Sequence, residues 1–311
     1  MENNLIHVPV LVEEVIAGLD LNPGKVVIDA TIGDGGHAIK ILKKINPGGV
    51  LIGIDRDPDA TKKANENLSH QKSNVQLVIV HDSYSHLGNI IESHGYHRVD
   101  AILLDLGLSS RQLSFGRGFS FLEDAPLDMR FDSTQGITAA EIVNSYPKDE
   151  LANIIWKFGE ERASRRIADA IWQARRKTKI TTTRQLADIV TVAKGGRRGR
   201  IHPATQTFQA LRIAVNEELD TLTQTLPQAI ELLNPQGRLA VISYHSLEDR
   251  IVKHIFRDIA KTGSIQLITK KPITPTREEI QNNPRSRSAK LRIITKLSQF
   301  KWQTGHKNKL V

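Results

Sequence analysis

Short apolar runs ending in an acid or an aromatic recur along the first third of the chain. Residues 26–28 lead into Asp29, residues 50–54 into Asp55, residues 75–80 into His81-Asp82-Ser83-Tyr84, and residues 99–104 into Asp105. Each run has the length of a buried strand, and the stretches between carry apolar residues at three- and four-residue spacing. They predict helices over residues 8–19, 37–45 and 58–68, the last with Pro58 in its first turn, where a missing N–H is harmless. Strands alternating with helices predict an α/β fold built on a parallel sheet. In such a sheet ligands sit at the carboxyl ends of the strands, where Asp29, Asp55, Tyr84 and Asp105 all fall.

The alternation stops after residue 113. Residues 114–132 are rich in glycine, aromatics and charge without a period, and read as a long loop of the kind that is often functional. Arg117, Arg130, Phe119 and Phe121 in it have the chemistry to meet phosphates and bases of unpaired RNA. Residues 138–193 read as helical throughout. Thr138-x-x-Glu141 is a capping box, helices are predicted near 148–157 and 160–176, and Thr183 is expected to cap one reaching Ala193. The basic run Lys194-Gly-Gly-Arg-Arg-Gly-Arg200 follows. The domain reading is therefore one discontinuous α/β domain, residues 1–113 and 204–311, interrupted by an inserted loop plus an all-helical domain at 114–203.

The α/β pattern then resumes. Residues 204–222 place Phe208, Leu211, Val215, Leu219 and Leu222 on one helical face. A further helix is expected from Pro227 to Leu233, stopped by Asn234-Pro-Gln-Gly237, and then a fifth strand over 238–243 running into Tyr244-His245. Ser246 is read as the cap of a helix over 247–260, and residues 265–270 and 289–296 as a terminal antiparallel pair. His245 stands again at the carboxyl edge. No second histidine or acid is read at metal-ligand spacing with it, so no metal site is expected.

The turn between the first two strands, Gly33-Asp-Gly35-Gly36-His37-Ala38, formally satisfies the dinucleotide fingerprint. An acid about twenty residues on, Asp55, suits the hydroxyls of a ribose. A NAD(P)-dependent dehydrogenase is therefore one reading. Asp29 tilts against it, because a carboxylate at that strand end suits the cationic amino group of S-adenosylmethionine better than a pyrophosphate. The closing antiparallel pair tilts the same way, toward a Rossmann-like methyltransferase.

Composition narrows the partners. The 311 residues include no cysteine, which excludes disulfides, thiolate nucleophiles and thiolate metal sites. A formal net charge of +9 favours a polyanionic partner, with nucleic acid ahead of a membrane. No apolar run has the length of a membrane span and the first fifteen residues lack a secretory pattern, so no membrane association is expected.

Eight segments together carry a specific resemblance: HVPVLVEEVI, DATIGDGGHA, GIDRDPDA, ILLDLGLSS, RGFSF…APLDMR, HPATQTFQALRIAVNEEL, ISYHSLEDRIVK and NPRSRSAKLR. From His7 to Arg292 the chain resembles the ribosomal RNA small-subunit methyltransferase H family, also called MraW. The resemblance implies a class I (Rossmann-like) S-adenosylmethionine-dependent methyltransferase domain with a helical insert. It implies methylation of cytosine N4 of a cytidine in the decoding region of 16S rRNA. Cofactor contacts carried over by motif are Gly35, Gly36, His37, Asp55, Tyr84, Asp105 and Gln112. By likeness to the Asp-Pro-Pro-Tyr motif of amino-methyltransferases, Asp105 is the candidate proton acceptor, with His245 the second catalytic candidate.

Arg111 stands where proline is frequent, which is expected to loosen the turn holding Gln112. Tyr84 and Tyr244 stand where phenylalanine is frequent and keep the aromatic face. The implied partner is 16S rRNA within the small ribosomal subunit, in the cytoplasm, with a homo-oligomer allowed. A non-catalytic RNA-binding module is the remaining alternative, which intact Asp55, Asp105 and glycine motifs disfavour.

Overall fold

The computed structural model describes residues 9–297 apart from 115, 198 and 200, and apart from the side chains of 110 and 114. His7, where the resemblance begins, and Arg198 and Arg200 of the basic run lie outside the described residues.

Seven strands form one sheet among the described residues. They are β1 (Val26–Asp29), β2 (Val50–Asp55), β3 (Gln76–His81), β4 (Val99–Asp105), β5 (Leu233–Ser243), β6 (Ile265–Leu267) and β7 (Lys290–Lys296), in the order β3-β2-β1-β4-β5-β7-β6. The first five are parallel, and β7 runs antiparallel to both β5 and β6. The closing pair is the arrangement expected of a Rossmann-like methyltransferase. The chain builds outward from β1 to β3 on one side, then returns to lay β4 on the other. This reversal leaves a crevice at the carboxyl ends of β1 and β4.

Side chains alternate across the pleat, so each strand feeds two apolar layers. Ile28, Ile52, Ile102 and Val241 belong to one layer, and Val27, Leu51, Leu103 and Ile242 to the other; all are buried. Both layers are covered by helices, which explains why β1, β2 and β4 read as continuous apolar runs. Among the described residues no helix is long and apolar enough to cross a membrane. At the far end of β7, Lys296 is fully buried. Its ammonium donates to the Glu231 and Leu233 carbonyls at 2.6 and 2.7 Å, at the end of the helix Glu218–Leu232.

The chain divides into two compact units, one comprising the described residues of Met1–Gly107 and Leu219–Val311, the other Leu108–Glu218. The insert is therefore wider than the sequence boundaries of 114 and 203. The reason is a break inside the helix expected over 204–222. Glu217 adopts a left-handed conformation (φ 52°, ψ 36°) and ends the helix Thr205–Asn216. Asn216 braces the break: its amide donates to the Met129 and Arg212 carbonyls, and its Oδ1 accepts from the Phe131 N–H. Phe208 and Leu211 thus join the insert's own core, while Leu222 joins the core on the sheet.

Three further boundaries differ from expectation. The helix Glu218–Leu232 runs through Pro227 instead of starting there. β5 begins at Leu233, and Asn234-Pro-Gln-Gly237 is a bulge between the pairs Val99↔Leu233 and Ala101↔Arg238 rather than a stop. In the insert, Thr182 and not Thr183 caps Thr183–Ala193, in a capping box with Gln185. Thr183 is buried, accepting from the Ala125 N–H and donating to the Glu123 carbonyl. The capping box of Thr138 and Glu141 forms as read.

Candidate functional site

Asp29, Asp55 and Asp105 end β1, β2 and β4 at the same edge of the first unit. In the parallel register Asp29 pairs with Gly53 and Leu103, so Asp55 and Asp105 each extend two residues beyond it on the same side of the pleat. The glycine turn is tied to this edge. The Gly33 N–H donates to Asp55 Oδ2 and the Asp57 N–H to Asp55 Oδ1, both at 2.9 Å. Each carboxylate oxygen has two lone pairs, so Asp55 keeps capacity for two further donors, which is what a ribose diol offers. Gly35 has φ 89°, which a side chain would strain, and a Cβ there would press on Leu68 at 3.3 Å. The helix Gly36–Ile45 starts at the next residue, with its N–H groups facing the turn.

His37, on that helix, is buried and fixed. Its Nε2 donates to the Val10 carbonyl at 2.9 Å, which leaves Nδ1 facing Asp105 Oδ2 at 3.7 Å. Asp105 itself is positioned by backbone, its N–H donating to Thr31 Oγ1 at 2.7 Å. Its Oδ1 is buried without a hydrogen-bond partner. A buried acceptor left open in a crevice is costly unless a ligand donor meets it. Beside it, Gly107 lets the Tyr244 ring approach: a Cβ at Gly107 would stand 2.7 Å from that ring. Tyr244 keeps its phenol neutral, its pKa held well above 10 by burial and by the charge of Asp105. The hydroxyl that distinguishes this residue from phenylalanine therefore sits in the field of Asp105, which the sequence reading did not anticipate.

Burial dominates the electrostatics of the edge. It raises Asp29 to about 8 and Asp55 to about 6, opposed by backbone donors at Thr31 for Asp29 and at Asp57 and Gly33 for Asp55. Neighbouring acids add to both shifts. A cation placed here would relieve the strain, and a pyrophosphate would increase it. The residues thus fit an adenosyl cofactor that carries positive charge.

This has a consequence for stability. The folded state holds a proton on Asp29 that the unfolded state, with an ordinary carboxyl near 3.8, releases. Stability of the cofactor-free protein therefore falls as pH rises from about 4 to 8. Asp29→Asn is expected to flatten that fall by roughly 2 kcal/mol between pH 6 and 8, read by denaturant titration at the two values. A variant with the wild-type pH dependence would show that Asp29 is not the group responsible.

The remaining candidates fall into place unevenly. Tyr84 follows β3, opens a short 3-10 turn capped by Ser83, and is half-buried against the sheet core. Asp82, just before it, accepts from the Ser83 N–H and pairs with His86 at 2.8 Å. His245 is the cap of the helix Ser246–Ala260, a place the sequence reading gave to Ser246. Its Nδ1 accepts from the Glu248 N–H at 3.4 Å, and Nε2 lies 3.1 Å from Glu248 Oε1 at an angle too poor for a hydrogen bond. Glu248 is thus an acid three residues on that does meet His245, where the sequence reading found none. Its other oxygen accepts from the Tyr244 and His245 N–H groups. These contacts give His245 a structural task at the sheet edge.

Gln112 belongs to the second unit. It is buried on the short helix Ser110–Ser114, where Oε1 accepts from the Ser109 N–H and its own N–H donates to Ser109 Oγ, both at 3.1 Å. This reciprocal pair closes the turn in spite of Arg111.

The insert also sorts the loop residues read as RNA contacts. Phe119 is buried and stacks on Phe131 at 5.5 Å. Arg117 lies over the Phe119 ring and donates to the Phe131 carbonyl. Arg130 grips Asp128 with two bonds of 2.8 Å. These three are committed to folding the loop, and Phe121 packs at the edge of the insert's core.

The pattern of the MraW methylase family matches residues 4–297. Three similar relatives are each called ribosomal RNA small subunit methyltransferase H. That of Dehalococcoides mccartyi is 50% identical over 307 residues, covering 94% of this chain and 86% of its own. That of Persephonella marina is 48% identical over 293 residues, covering 94% and 99%. That of Brevibacillus brevis is 44% identical over 309 residues, covering 94% and 98%.

Proposed function

The chain belongs to the MraW methylase family, and from that premise we propose that it transfers a methyl group from S-adenosylmethionine to N4 of a cytidine in the decoding region of the small-subunit ribosomal RNA. The observation that carries the choice of acceptor is Asp105 Oδ1, a buried and unpartnered carboxylate oxygen in the crevice beside the glycine turn. When bound, the cofactor supplies a methyl group already activated on a sulfonium, transferred in line with the carbon–sulfur electron pair returning to sulfur. Asp55 holds the ribose, the turn at Gly35 and Gly36 admits the cofactor backbone, and Asp29 faces its cationic amino acid portion.

Cytosine N4 is a weak nucleophile because its lone pair is delocalised into the ring. Asp105 Oδ1 accepts one N4 hydrogen, draws it out of the ring plane and takes the proton that N4 loses on methylation. Reaching this edge requires the cytidine to leave its stack. With ribosomal RNA as acceptor, the small subunit or its precursor is the working partner and the cytoplasm the place of work. The dehydrogenase reading loses ground to the buried acids, which disfavour a pyrophosphate, and to the antiparallel β7.

The test is transfer of labelled methyl from S-adenosylmethionine to small ribosomal subunits taken from cells lacking this protein, followed by digestion to nucleosides. Label in N4-methylcytidine is the expected result. Label in another nucleoside would move the acceptor atom, and no label with no cofactor binding by calorimetry would end the methyltransferase reading.

A further inference from the structure

Phe121, half-buried against the insert's core, stacks on His202 with ring centroids 4.4 Å apart and planes 25° from parallel. Its ring also meets the buried Phe208 in a T-shaped contact at 5.1 Å, which fixes its orientation. His202 is fixed from its own backbone, since the Ala204 N–H donates to Nδ1 at 3.2 Å and so places the proton of the neutral ring on Nε2. Desolvation and the nearby charge of Arg197 lower its pKa, keeping the ring neutral at pH 7. Both rings are half-buried. Next to each in the chain stands a large aliphatic side chain left in water, Leu122 at 83% and Ile201 at 66% exposure. Apolar residues gathered about a rigid aromatic pair, rather than scattered singly, mark a contact surface.

The adjoining chain is basic and anchored at its base. Lys194 donates to the Pro203 carbonyl at 3.1 Å and to the buried Glu161 carboxylate at 2.5 Å, so the two ends of the glycine- and arginine-rich stretch are pinned together. Arg197 within it is exposed. Flat apolar surface beside held positive charge is complementary to unpaired RNA, whose bases want a stacking face and whose phosphates want a cation. The overall charge of +9 has the same sign.

We propose that the Phe121–His202 pair, flanked by Leu122 and Ile201 and rimmed by Arg197, is a platform on which the insert stacks an unpaired base of the RNA acceptor. The platform rests on the reading of RNA as the acceptor, and it assigns to His202 a recognition task independent of methyl transfer. Stacking of this kind tolerates any base, so it grips an unfolded segment without choosing its sequence.

Binding of small ribosomal subunits, and of the small-subunit RNA stripped of protein, is measured by filter retention without methyl donor for wild type, His202→Ala and His202→Tyr. His202→Ala is expected to weaken both about five- to a hundredfold, the range of one lost stack. His202→Tyr, which keeps a stacking ring, should stay within about threefold of wild type, and calorimetric affinity for S-adenosylmethionine should not move. Should His202→Ala lower the Tm, Leu122→Ser takes its place and is expected to weaken RNA binding by about threefold at unchanged Tm. Wild-type affinity in His202→Ala, or in Leu122→Ser where that variant takes its place, overturns the proposal. So does a loss seen with subunits alone and not with stripped RNA, which would assign the surface to a ribosomal protein. A wild-type protein that neither binds nor methylates RNA removes the acceptor reading itself, an outcome distinct from methylation that proceeds with the platform variants unaffected.

Discussion

Asp105→Asn is expected to lower kcat for methyl transfer by about 10²-fold, the lower end of what removing a positioned proton acceptor does. The substitution keeps the shape of the side chain and leaves intact the backbone bond from the Asp105 N–H to Thr31. It removes the charge that makes Oδ1 a strong acceptor, and it offers N4 an amide oxygen that cannot take a proton. The split between constants decides the role. A fall in kcat with the calorimetric Kd for S-adenosylmethionine unchanged identifies Asp105 with the acceptor amine. A weakened Kd at near wild-type kcat assigns it to the cofactor alone and withdraws the proton-acceptor proposal.

Asp55→Ala is expected to weaken S-adenosylmethionine binding by roughly 10²- to 10⁴-fold, the sum of two lost hydrogen bonds to a charged acceptor. The same carboxylate also accepts from the Gly33 and Asp57 N–H groups, so its removal loosens the turn as well as the ribose site. Asp55→Asn separates the two effects, because one acceptor oxygen remains, and a loss of about tenfold is expected there. Calorimetry on both variants checks the pair. A Kd within about threefold of wild type for Asp55→Ala would show that no ribose is held at this strand end.

The sheet and its edge were legible because burial on two faces leaves a strong mark. β1, β2 and β4 read as apolar runs, and each ends in an acid that a helical continuation would not have placed there. What the sequence hid was set by contacts distant along the chain. Glu217 takes a left-handed conformation that its residue type does not announce, and it does so braced by Asn216 holding Met129 and Phe131. The apolar period passes through that break without interruption, so two helices serving two cores looked like one. Histidine is not among the residues that announce a cap, and His245 displaced the more usual Ser246 only because Glu248 reaches back to its backbone. Arg117, Arg130 and Phe119 have the composition of RNA contacts, yet loop closure claims them first. The row of acids was visible as a row; that Asp105 keeps an open buried oxygen was not, because satisfaction of a polar atom is a property of its surroundings.

The place of the insertion sets what can be exchanged in this protein. Leu108–Glu218 falls between the end of β4 and the helix Glu218–Leu232, which carries the chain back to begin β5. A parallel pair such as β4 and β5 needs a crossover of that kind, and the crossover is complete without the insert. The insert has a core of its own, and all seven strands of the sheet lie outside it. Of the residues assigned to the cofactor, Gln112 alone travels with it. On the function proposed above, exchange of the insert would alter the grip on the acceptor and leave the strand ends at Asp29, Asp55 and Asp105 as they are.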